Sequence, residues 1–137
     1  MDIERIEEDG ITYAEIIRAN MKVNQTTFFS KPESSFQFGL LEHRAGFIEP
    51  PHYHKPVTRT VSDLQQMFVV QRGKVAVEVY SDKKRLLQEI ILSPGDAIVL
   101  VRGIHALRVL EDMQCISVKQ GPFYGTENDK IIVEIGR

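Results

Sequence analysis

The stretch Gly46 to His54, GFIEPPHYH, puts two of the chain's four histidines one residue apart. On a strand, residues i and i+2 leave from one face, so His52 and His54 would stand side by side while Tyr53 turns the other way. Two neighbouring neutral imidazoles are the beginning of a metal site, because imidazole ligates zinc, copper, iron and nickel alike. Pro50 and Pro51 cannot donate ladder hydrogen bonds, which suits a strand start or a sheet edge open to solvent. The plainer alternative is a pair of half-exposed strand histidines with no ligand. His43, in LLEHRAG, reads as a surface strand histidine rather than a proton shuttle. Cys115 is the single cysteine and lies in MQCISV, where a small core residue is expected rather than a nucleophile. Alone it cannot form an internal disulfide, in keeping with a reducing compartment.

The elements that must position these groups read as strands. From Phe36 onward, apolar runs of strand length alternate with turn signals. MFVVQRG stops at Arg72-Gly73, KVAVEVY sets Val75, Val77 and Val79 on one face, and a polar turn follows over residues 81 to 84. LLQEIIL runs into Ser93-Pro94-Gly95-Asp96, where the proline and glycine fit a type II turn. AIVLV comes next, then ALRVL, an acidic turn at Glu111-Asp112, CISVK, the breaker Gly121-Pro122, and a last apolar run, KIIVEI. In the N-terminal third, ITYAEIIRANMK fits a helical face or a strand; the β-favouring Ile, Thr and Tyr decide for a strand. SKPESS, residues 30 to 35, is a loop. Many short antiparallel strands must protect their edges, and a jelly roll or small barrel does so at this length, with an interior that serves as a pocket.

With 137 residues the chain makes one domain, 1–137, divided into N-terminal strands and a loop (1–35) and a barrel core (36–137). Its net charge of -2 gives no pull toward nucleic acid or an anionic membrane. The acidic start MDIERIEEDG has none of the features of a secretion signal, and no apolar run is long enough for a bilayer span, so a cytoplasmic protein with neither nucleic-acid nor membrane partner is expected.

The spacing in GFIEPPHYH, Gly46 followed after five residues by His52 and after one more by His54, resembles the opening of the first motif of the cupin superfamily, G-x5-H-x-H. Six residues before Gly73 that motif calls for glutamate; here Gln66 stands in its place, after a longer spacer. PGDAIVLVRGIHAL resembles the second motif, with Pro94-Gly95 and then His105, although Val101 occupies a position where proline is common and the trailing asparagine is absent. PHYHKPVTRTV, VLEDM and VKQGPFYG also resemble small single-domain cupins of uncertain function, some associated with sugar metabolism. The resemblance implies an all-β, double-stranded β-helix holding a divalent transition metal (Zn, Ni, Fe, Mn or Cu) on His52, His54, Gln66 and His105, and a homodimer. It implies no single reaction.

Three imidazoles and a neutral amide would leave the ion's charge uncompensated and make it a stronger Lewis acid. Gln66 would either ligate the ion directly or hold a water on it. Arg59, Arg102 and Lys119 are the cations expected near the pocket, each able to pair with a ligand carboxylate or phosphate or else simply solvated. Phe68 shares the parity of Gln66 and would line the interior. The leading expectation is an isomerase, epimerase or lyase acting on a small polar molecule such as a sugar derivative. A non-catalytic module that binds metal and ligand, and a metal-dependent dioxygenase, are the alternatives.

Overall fold

The computed structural model describes residues 3–136. Strands β1 (Glu4–Glu8) and β2 (Ile11–Ile17) form a hairpin whose two-residue turn, Asp9-Gly10, has positive φ at both positions. That geometry matches the twist of the flanking strands, and Asp-Gly is the dipeptide that accepts it. The strand alternative for ITYAEII is therefore the one realised. A short ribbon follows, β3 (Thr27–Phe28) with β4 (Gly39–Leu40), and then residues 41–65 run with no helix or strand. The main sheet is completed by β5 (Gln66–Tyr80), β6 (Leu86–Leu92), β7 (Ala97–Leu100) and β8 (Ile104–Lys119), and a single helical turn, α1 (Thr126–Asp129), comes last.

The main sheet has the order β1-β2-β7-β5-β6, with β8 on the other side of β5. β5 is the organising strand. Its first residues lie between β7 and β8, its last residues between β6 and β8, and every pairing is antiparallel. The β5–β8 register shifts three times between Val70 and Val75, opposite the stretch from Val109 to Cys115 of β8. Each shift is a bulge that bends the ladder. The halves fold toward one another, because one buried cluster joins Val70, Ile98 and Leu100 from the first half with Val77, Val79 and Leu92 from the second. The result is a strongly curled sheet, half of a barrel.

Three expectations are corrected here. MFVVQRG and KVAVEVY are one strand, because Gly73 makes a corner rather than an end. ALRVL and CISVK are likewise one strand, since Glu111 and Asp112 sit in the matching corner. Neither HYH nor KIIVEI is a strand: an alternating pattern needs a partner edge, and neither segment is paired.

Partners across an antiparallel ladder share a face. Gln66 opposite Leu100 and Phe68 opposite Ile98 belong to the concave side, with the cluster just described. Met67 opposite Val99 and Val69 opposite Ala97 belong to the convex side, where Phe36, Phe38 and Leu40 from the β3–β4 region cover them. The turn at Ser93-Pro94-Gly95-Asp96 forms as expected, with Gly95 at φ 90 and the Asp96 N–H donating to the Ser93 carbonyl at 2.9 Å. Asp96 is buried, and its carboxylate accepts from the Ala19 N–H (2.8 Å), the Ser93 N–H (2.9 Å) and Arg18 Nη1 (3.2 Å). Asp96→Ala strands these donors and should lower stability by about 2 kcal/mol, read in urea unfolding as a lower midpoint at unchanged slope.

Candidate functional site

The β5–β8 register decides which expected site residues look into the trough. Gln66 is opposite Lys119 and Phe68 opposite Ser117 at one end of the ladder, while His105 is opposite Val79 at the other. Val79 and Phe68 both belong to the concave cluster, so Gln66, Phe68, His105, Ser117 and Lys119 all take the concave face. Gln66 Nε2 donates to Ser117 Oγ at 2.9 Å, which fixes the amide with its oxygen free to accept. Lys119 Nζ stands 5.0 Å from the centre of the Phe123 ring, a cation–π contact at the rim. Phe68 is partly buried against the apolar floor.

His105 is an exposed residue, yet partial desolvation by its surroundings, reinforced by Lys130, holds its imidazole below the ordinary histidine range. Lys130, eleven positions beyond Lys119, is the cation that acts on His105.

The two remaining histidines are on the arm. Residues 41–64 are exposed throughout. The ring centroids of His52 and His54 are 5.5 Å apart in an edge-on arrangement, close enough for one ion to meet a nitrogen of each. His52 Nδ1 lies 2.9 Å from the Pro50 carbonyl oxygen, and Nε2 lies 3.6 Å from Glu49 Oε1. When Nδ1–H donates to that carbonyl, Nε2 carries the free lone pair, the arrangement that orients ligating histidines. Pairing of neighbouring rings is thus achieved by a proline-stiffened loop instead of by strand parity.

Among the described residues, no three of His, Cys, Asp and Glu converge as an ion would require, so the arm pair and His105 are not brought together. Arg59 is also on the arm, its Nη1 donating to the Val57 carbonyl at 3.4 Å. Arg102 lies in the turn between β7 and β8 and pairs with Asp82 at 2.8 Å, a bond that fixes the guanidinium at the surface. Ser117 was not anticipated from the sequence; its parity with Gln66 becomes visible only through the ladder register.

The arm is held at its two roots. At one, the Glu42 N–H donates to Thr26 Oγ1 at 3.0 Å. At the other, Ser35 Oγ donates to both carboxylate oxygens of Asp63 (3.1 and 3.0 Å), Gln65 Nε2 adds a third bond at 3.1 Å, and the Gln65 N–H donates to Gln120 Oε1 at 2.7 Å. The Gln65 amide, helped by Ser35, holds the Asp63 carboxyl below its ordinary range.

Cys115 packs against the concave cluster with its Sγ 3.0 Å from the Met113 sulfur, and burial pushes its thiol up from the ordinary value. A protonated thiol is a poor nucleophile. Iodoacetamide should therefore alkylate Cys115 at pH 8 more slowly than free cysteine, by roughly tenfold, with mass spectrometry following the adduct.

No helix among the described residues is long and apolar enough to cross a membrane. No family model, no curated protein and no solved structure matches this chain.

Proposed function

We propose that the chain is a cupin-type, metal-binding domain that takes a small polar ligand into its trough, with His52, His54, His105 and Gln66 as the metal donors. In this reading the half barrel is completed to a double-stranded β-helix when an arm lies along the outer side of β8. One observation supports the reading: Gln66 and His105, expected from separate motifs to serve one centre, share the concave face of one strongly curled sheet, at opposite ends of the β5–β8 ladder. The donor chemistry fits as well, since all three histidines retain surface that an ion can reach and none is tied into a buried hydrogen bond. A divalent transition metal on this set would act as a Lewis acid toward a carbonyl or hydroxyl oxygen of the ligand. Phe68 would supply an apolar wall, Ser117 would orient the Gln66 amide, and Lys119 would attract a carboxylate or phosphate at the rim.

A sugar derivative undergoing isomerisation, epimerisation or elimination is the substrate class we favour, in a cytoplasmic setting. The non-catalytic alternative draws support from the carboxylates. Of the two carboxylates buried among the described residues, Asp96 is saturated by three donors and Glu78, bonded to the Tyr80 hydroxyl at 2.8 Å, lies on the face away from Val79. Neither is placed to move a proton in the trough. Elemental analysis of protein purified without a chelating tag and supplemented with Zn, Ni, Fe, Mn and Cu should find about one ion per chain. A content far below that for every metal sinks the reading. Thermal-shift screening of sugars, nucleotide sugars and small carboxylates on the loaded protein then identifies the ligand class.

A further inference from the structure

We infer that the ligand of the trough is a small hydroxy acid, its carboxylate held by Lys119 and Ser117 while a hydroxyl of the same molecule donates to Gln66. The inference rests on the trough being the ligand site, as proposed above, and needs no metal.

Four residues make one end of the β5–β8 ladder. Gln66 lies opposite Lys119 and Phe68 opposite Ser117, all on the concave face. Facing residues on one side of a ladder set their Cβ atoms about 5 Å apart, and positions two apart along a strand about 7 Å, so all four side chains reach one small molecule. A single hydrogen bond sorts their polar atoms into donors and an acceptor. Gln66 Nε2 donates to Ser117 Oγ at 2.9 Å, which leaves the Ser117 hydroxyl hydrogen free to donate and Gln66 Oε1 free to accept. Lys119 adds N–H donors with a full positive charge, and Phe68 adds an apolar floor. Two adjacent donors, one of them charged, suit the two oxygens of a carboxylate, and the amide oxygen suits a hydroxyl.

Charge points the same way. Six other cations, Arg5, Arg18, Lys74, Arg85, Arg102 and Arg108, each pair with a carboxylate. Among the described residues Lys119 pairs with none, and its contact is the face of the Phe123 ring, 5.0 Å from Nζ. A ring face attracts an ammonium without cancelling its charge. The acids nearest in sequence to this end are committed elsewhere. Asp63 is bonded to Ser35 and to Gln65, which precedes Gln66 and so turns to the convex side with Met67, and Asp129 accepts from the Tyr124 N–H at 3.2 Å. Outside the corner, the concave positions of β5 and β8 hold no carboxylate. A ligand with one negative charge completes this set, and a single lysine matches a carboxylate more closely than a phosphate dianion. A neutral polyol leaves the ammonium unpaired, and a plain fatty acid leaves the Gln66 oxygen without a donor.

Titration calorimetry on metal-free protein with four probes tests this: D-gluconate, sorbitol, hexanoate and inorganic phosphate. Gluconate and sorbitol share a carbon chain and differ by the carboxylate, while hexanoate keeps the carboxylate and lacks the hydroxyls. Gluconate should bind roughly tenfold or more tightly than each of the other three. Lys119→Met should weaken gluconate by a similar factor and leave sorbitol unchanged, Lys119→Arg should restore most of the loss, and Gln66→Met should remove the advantage of gluconate over hexanoate. Sorbitol or phosphate binding as tightly as gluconate overturns the hydroxy acid and leaves the trough as the ligand site. Gluconate binding that survives Lys119→Met places the acid elsewhere and overturns the inference as well. If none of the four binds, the hydroxy acid falls, and the trough itself is judged by the wider ligand screen given above, which includes neutral sugars and nucleotide sugars.

Discussion

Gly73→Ala should cost the protein about 3 kcal/mol or more, seen as a fall in melting temperature of roughly 10 °C, and Gly10→Ala should cost only about 1 kcal/mol. Both glycines have positive φ, 84 at Gly73 and 77 at Gly10, a region in which a side chain is strained wherever it occurs. They differ in their surroundings. A Cβ at Gly10 meets nothing within 4 Å, but one at Gly73 overlaps the Asp112 carbonyl oxygen and comes within 2.7 Å of the Asp112 carbonyl carbon and the Met113 Cα. Those neighbours are backbone and cannot swing aside, so relief requires the corner of β8 to move. Paired thermal scans of the two variants isolate the packing part of the penalty, because the backbone-angle part is common to both. Equal losses would show that the corner is softer than its contacts imply.

On the metal-site reading proposed above, removing the arm histidines should abolish metal binding while leaving the fold almost untouched. His52→Ala/His54→Ala takes away two of the four proposed donors, and an affinity loss of more than ~100-fold is expected, measured by competition against a chromophoric chelator. The side chains are exposed and touch only their neighbours in the arm, so the apo protein should melt within about 1 °C of wild type. His105→Ala should lose metal by a similar factor. A variant lacking both arm histidines that keeps its ion would remove the pair from the centre.

The sequence made some of this legible and left other parts hidden, for physical reasons that differ by residue. The Pro94-Gly95 turn is local chemistry, and the structure has it as read. The parity of Val75, Val77 and Val79 is local as well, and all three are buried in one cluster. The Asp9-Gly10 hairpin is equally local. Gly73 and Glu111-Asp112 are a different case, since the same residues suit a chain reversal or a corner within a continuing strand. Only the partner ladder decides between these, and the partner stretch is far away in sequence, with Arg72 opposite Gln114 and Lys74 opposite Glu111. The alternation in HYH and KIIVEI states that each segment could present a face without saying to what. For the candidate site, the sequence put forward the imidazoles and Gln66, but Ser117 and the common face of Gln66 and His105 depend on register, which no spacing within one strand encodes.

Because the corner in β5 lies against the corner in β8, with Arg72 opposite Gln114 and Lys74 opposite Glu111, the two strands cannot flex separately. Splaying one leaf of the trough would pull its partner's backbone with it, and the Gly73 contact leaves no slack to absorb the difference. The two corners are therefore held against one another by backbone contact. In the proposed function, the size of molecule the trough admits would be set by whatever crosses the rim, and selectivity would change through substitutions there without any adjustment of the scaffold beneath.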